Sequence, residues 1–188
     1  LMQDYYLHAR SITRAREQIL IRATPPRRRG RPIELDLGEG VRLFDGQITF
    51  SSEQLASDPS LALRAYVNLV RNRAPLLPFA REAIVRCASD PTWCEALRAS
   101  PAAAKAFVEL LCTVADVPTK NGSIAAELHD VGLLLAMVPE FAPVTGRVHH
   151  DVYHVYTVDV HSVAAVDSLR AMCRGDLAHE RPLASRLA

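Results

Sequence analysis

Four of the seven histidines fall between positions 146 and 161, in a stretch that also holds Gly146, Arg147, Asp151, Tyr156 and Asp159. Those four are His149, His150, His154 and His161. Imidazole and carboxylate are the usual ligands of catalytic divalent metals. On one continuous helix His150, His154 and His161 would lie within ~40° of one another, from the 100° step per residue. The β-branched residues Val155, Thr157, Val158 and Val160 argue against an unbroken helix there. The same side chains also read as a polar loop whose imidazoles pack against tyrosines. Composition leaves both readings standing.

Three shorter signals carry less. His129-Asp130 spells the doublet that ligates metal in the HD phosphohydrolase superfamily, but that motif usually continues to a small residue and a lysine. Here Gly132 precedes Leu133, Leu134 and Leu135, and the nearest upstream histidine is His8. His129 is therefore expected on a helix surface or at an interface. Arg29-Gly30-Arg31-Pro32, preceded by Arg27 and Arg28, spells the core of an AT-hook, in which glycine lets the chain sink into a narrow minor groove. In a sequence with twenty arginines against two lysines, a solvated connector explains the string as well. Arg174-Gly175-Asp176 matches the integrin tripeptide by chance, and Gly175 is expected to end a helix in a left-handed cap.

The elements that must position these groups are mostly helices. Residues 2–22 predict a first helix, with Tyr5, Tyr6, Ala9, Ile12, Ala15, Ile19 and Leu20 on one apolar stripe. Pro25-Pro26 ends it. Ile33, Leu35 and Leu37 alternate with Glu34 and Asp36, the period of a half-buried strand. Asp45-Gly46 between two short apolar runs predicts a hairpin. Helix starts follow at Ser51 or Ser52, Asp58-Pro59, Pro78, Asp90-Pro91, Ser100-Pro101, Ser123 and Thr157. Ser123 is expected to cap one helix over 124–137, and Thr157 a long one through Cys173. The fold class is all-α, a multi-helix orthogonal bundle with a small β-hairpin insertion near residues 33–50.

Composition narrows the functional classes. The 188 residues are 49% hydrophobic and 23% charged, which excludes a mainly disordered or collagen-like chain. Cysteines at 87, 94, 112 and 173 form no Cys-x-x-Cys pair, so a thiolate zinc site is not expected and reduced, cytoplasmic thiols are. The longest apolar run, Val131 to Val138, is eight residues, against the ~20 that a membrane span needs. No charged region precedes an apolar run at the start, so a secretory signal is not expected. A net charge of +1 does not suit a polyanion binder, although residues 1–32 carry +6 and the other 156 carry −5. The chain opens within what already reads as a helix, so it is expected to be part of something longer.

Three stretches together resemble one family. The string 146–161, from Gly146 through His154 and Asp159 to His161, is very similar to the junction segment of the bifunctional PII-protein uridylyltransferase/uridylyl-removing enzymes. Leu128-His129-Asp130-Val131-Gly132, with Pro139-Glu140-Phe141, resembles the stretch just before it. Met2 to Arg10, containing Tyr5-Tyr6 and His8, resembles the helix that leaves that family's nucleotidyltransferase domain. The hairpin and the Asp58-Pro59 helix start fall in the right order between them.

The resemblance implies a parent with a nucleotidyltransferase domain, a helical linker domain, an HD domain and two glutamine-sensing ACT domains. Residues 1–148 would be the linker domain and 149–188 the first segment of a truncated HD domain. Nothing matches the Gly-Ser and Asp-x-Asp site of the transferase. His161 aligns with the first HD-domain histidine and takes over its metal-ligand role; His154 and Asp159 are weaker candidates from the same motif. The implied parent transfers UMP from UTP to a tyrosine of the PII signalling protein and hydrolyses the product, using magnesium or manganese. With one ligand of about four, the isolated segment is expected to bind no metal tightly and to catalyse neither reaction. A helical interaction scaffold and a DNA-binding module through Arg27 to Arg31 are the alternatives.

Overall fold

Short side-chain caps punctuate the chain, and most sit where the sequence places them. The computed structural model describes residues 2–23, 32–113, 119, 123–147 and 157–188. Helix α1 spans Met2–Ala23. Strands β1 (Glu34–Gly38), β2 (Val41–Phe44) and β3 (Gln47–Thr49) form an antiparallel meander. Helices α2 (Ser52–Ser57), α3 (Ser60–Asn72), α4 (Pro78–Cys87), α5 (Pro91–Ala99) and α6 (Pro101–Cys112) follow. Next come α7 (Ile124–Asp130), α8 (Leu133–Met137), a 3₁₀ turn (Pro139–Val144), α9 (Val158–Arg174) and α10 (Pro182–Leu187). The architecture is all-α with a small β insertion. No helix among the described residues is long and apolar enough to cross a membrane.

The Ser51 hydroxyl accepts from Glu53 N–H at 3.2 Å and the Asp90 carboxylate from Thr92 N–H at 2.9 Å. Ser123 accepts from Ala126 N–H at 2.9 Å. Each satisfies an amide that the first helical turn leaves without a partner. Prolines open α4, α5 and α6, where a missing N–H costs nothing. Gly175 closes α9 with φ +82°, as expected.

Helix α3 runs through the core, with Leu61, Leu63, Ala65, Tyr66 and Leu69 buried and packed against α6. The Asp45-Gly46 turn has positive φ at both positions, 48° and 75°, which matches the twist of the β2–β3 hairpin. Ile48 is buried and ties the sheet to the chain ahead of α4. Its N–H donates to Pro75 C=O at 2.8 Å, and its C=O accepts from Leu77 N–H at 2.8 Å.

Three expectations are corrected. The helix expected over 124–137 breaks at Gly132, whose φ of +88° ends the α-helical path and where a Cβ would stand 3.4 Å from Ala88 Cβ. Ile33 and Leu35 are exposed, and of that alternating face only Leu37 packs against the core; Val41, Ile48 and Phe50 bury the sheet instead. The apolar stripe of α1 docks only in part: Tyr6 and Ala9 are half-buried, the rest of its large side chains exposed. Tyr5, Ile12 and Ile19 are 65%, 57% and 66% exposed. The helix touches the body through Gln3, Leu7 and Arg10, roughly the opposite face at ~100° per residue.

Candidate functional site: a buried carboxylate between three helices

Asp159 stands in the first turn of α9 and is 0% exposed. Its Oδ2 accepts from Arg10 Nη1 of α1 at 3.1 Å and lies 2.8 Å from His129 Nε2 at the end of α7. A carboxylate at a helix N-terminus also gains from the helix dipole. Burial alone would push this carboxyl up. The hydrogen bond from His129, with the Thr157 side chain and the Gly146 N–H close by, outweighs it and holds the group well below the usual carboxylate range. Oδ1 and His129 Nδ1 are buried and complete no hydrogen bond of normal geometry. Phe141 meets the His129 ring edge-on, centroids 5.8 Å apart.

Gly146 is what lets α1 come close. Its φ is +69°, and a Cβ there would stand 3.2 Å from Leu7 Cγ and 3.4 Å from Gln3 Cγ. Gln3 Nε2 donates to Thr145 C=O at 2.7 Å. Gln3, Leu7 and Arg10 thus lay one face of α1 along the turn at 145–146 and onto Asp159.

A second buried network holds α7 in place. Glu127 Oε1 accepts from Tyr66 Oη at 3.0 Å and from Arg81 Nε at 2.7 Å, while Arg81 Nη2 pairs with Asp130. Burial, reinforced by the Glu127 carboxylate, pushes the Tyr66 hydroxyl well above its ordinary value. Burial works against the Arg81 charge, but the hydrogen bond and charge of Glu127 keep it firmly protonated. Farther along α9, Arg170 Nη2 donates to the carbonyls of Leu110 and Leu111 at 2.6 and 2.7 Å, capping the C-terminal end of α6.

Beside Asp159 lies a cleft of about 270 Å³, lined by Arg10, His129, Asp130 and Asp167 among apolar residues of α7 and α9. His161 is exposed on α9. Two residues along a helix is a turn of about 160° the short way round, so His161 and Asp159 face apart. Among the described residues no group of three or more His, Cys, Asp or Glu is arranged to hold a metal ion. These residues do not by themselves make a metal centre. His154, with His149, His150 and Asp151, lies outside the described residues, as do Arg27 to Arg31 of the AT-hook-like string.

His129 is 7% exposed and sits at the interface of α7 with α9, not on a helix surface. Arg10, Glu127, Arg81 and Arg170 carried no sequence signal of their own. Arg10 falls within the Met2–Arg10 string, but a partner 149 residues away is not legible there.

Arg10, His129 and Asp159 form a buried polar contact between α1, α7 and α9. They come from three separated stretches (2–10, 128–141 and 146–161) and meet at one carboxylate. Those are the stretches that carry the family resemblance, and the whole chain aligns with the same enzymes. It is 32% identical to the bifunctional uridylyltransferase/uridylyl-removing enzyme of Thiobacillus denitrificans over 100% of this chain and 22% of that protein. It is 31% identical to those of Gluconobacter oxydans and Bordetella avium, again over 100% of this chain and over 20% and 22% of theirs. No family model matches, and no solved structure matches. The chain belongs to the family of bifunctional uridylyltransferase/uridylyl-removing enzymes, and it spans about a fifth of the length of the relatives it matches.

Proposed function

We propose that this chain is the helical connector of a bifunctional enzyme that uridylylates and deuridylylates the PII nitrogen-signalling protein in the cytoplasm. Residues 1–148 join a nucleotidyltransferase domain to an HD domain, whose first helical segment lies within 149–188. The observation that carries this reading is the meeting at Asp159 of the helix that would arrive from the transferase, the body of the linker, and the helix that would enter the HD domain. Opposing reactions in one protein need separate sites, and a packed helical body keeps them apart at a set distance. Arg10 ties the incoming helix to the outgoing one, and Arg170 ties the outgoing one to the body. Divalent metal, magnesium or manganese, would neutralise phosphate charge in one domain and activate water in the other. In the HD domain His161 would be one of several ligands, joined by His154 or Asp159 only if the junction rearranges.

Two measurements test this. The purified chain, given UTP, PII protein and magnesium or manganese, is expected neither to label PII nor to release UMP from labelled PII; appreciable turnover of either kind contradicts it. In the intact enzyme, His161→Ala is expected to abolish uridylyl removal while sparing transfer. Unchanged removal would leave a plain interaction scaffold as the better description.

A further inference from the structure

We propose that Arg10 and His129 are positioning residues for His161, acting through Asp159. The inference rests on the reading of His161 as a group of the uridylyl-removing site and adds what sets its place. The start of α9 packs against α7 with Val163 buried, and the Thr157 side chain and Gly146 N–H lie close to Asp159. Thr157, at the N-cap, makes no side-chain capping bond, and one backbone tie, Val158 N–H to Arg147 C=O at 2.8 Å, fixes the chain's entry. Within the first turn the directional polar anchor is Asp159. Its single oxygen Oδ2 is gripped from α1 by Arg10 and from α7 by His129.

The far end of α9 is held separately. Arg170 donates to carbonyls of α6 three turns away, so losing the Asp159 grip frees the first turn without releasing the helix. His161 projects about 160° round from Asp159. Any roll of the turn therefore swings the imbalance outward to the imidazole. Catalytic constellations lose rate when a group is displaced by as little as ~1 Å. Arg10 thereby links the linker's incoming helix to the geometry of a site on the opposite face of α9. The bond is charged and buried at the carboxylate end, where it has the directionality that apolar packing lacks.

Two experiments test it together. In the 188-residue chain, hydrogen exchange at amides 160–163 is expected to rise at least tenfold in Arg10→Ala, with the α3 amides unchanged. No change at 160–163 overturns the proposal. In the intact enzyme, Arg10→Ala is expected to lower kcat for uridylyl removal about tenfold or more, leaving KM and transfer within about twofold. Arg10→Lys, which keeps the charge, is expected to restore most of the rate. Equal loss of both activities with a lower Tm, and no rescue by lysine, would make the contact a mere prop and overturn the proposal. His161→Ala is run alongside. If it abolishes removal while Arg10→Ala and His129→Gln leave kcat intact, positioning is wrong and the connector reading stands. If it leaves removal intact, the connector reading falls and the positioning role with it.

Discussion

The body around α3 and the helix α1 are held by different physics. In the body, Leu61, Leu63, Tyr66, Leu97, Leu110 and Leu128 are essentially dry, and stability comes from apolar burial that no single contact dominates. Helix α1 leaves Tyr5, Ile12 and Ile19 in solvent and reaches the body with an amide, one leucine and a guanidinium. The first arrangement tolerates small shifts and fixes a fold. The second is weak in area but specific in direction, which suits a junction whose angle matters more than its strength.

That contrast can be broken at several points. Leu110→Ala, in the α3–α6 contact, is expected to destabilise the chain by about 3 kcal/mol through lost burial and the cavity left behind, read from urea unfolding. A loss under about 1 kcal/mol would mean the body is not held by its core. Glu127→Ala is expected to cost about 2 kcal/mol, because it strands the buried Tyr66 hydroxyl and one face of Arg81. Glu127→Gln, whose carbonyl oxygen can still accept from both, should cost less.

The pH dependence separates the junction from the body. The Asp159 carboxyl is depressed in the folded chain, so its contribution is fully present above the unfolded carboxylate value of about 4. It is lost as the pH falls from there toward the lower folded value. Asp159→Asn is therefore expected to flatten the fall in stability below about pH 4, measured by acid titration of urea midpoints; a parallel curve would show that the grip on Asp159 is not electrostatic. The smallest effect is expected at the outer face of α1. Ile12→Ser and Ile19→Ser should each shift stability by no more than about 0.5 kcal/mol, since these side chains are already wet. A larger loss would mean that this face is covered in the chain as it exists in solution.

Local rules made much of the scaffold legible. Ser51, Asp90, Ser100 and Ser123 cap the helices that follow them because the capping bond spans two or three residues. The Asp45-Gly46 turn and the Gly175 cap follow from the φ each position needs. Periodicity found α1 but only Tyr6 and Ala9 of its stripe are half-buried, because a stripe says that a side is apolar and not that anything lies against it. Gly132 was visible as a glycine, yet its role as the break between α7 and α8 depends on how closely α8 must turn back beside Ala88. The alternation at Ile33, Leu35 and Leu37 says that they share a face, not how far along it the core extends, and only Leu37 reaches it.

The candidate site was legible only in fragments. Asp159 and His161 stood out by type and spacing, and the strings around Arg10, His129 and Gly146 stood out by resemblance. None of those features pairs Arg10 with Asp159 or buries His129 against it. Capping, turn choice and helix starts are settled within a few residues of chain, so the amino-acid order alone determined them. The Arg10–Asp159–His129 junction spans 149 and 30 residues of separation. Only the tertiary fold could decide it, because a charge is driven to a particular partner by which helices the core has already brought within reach.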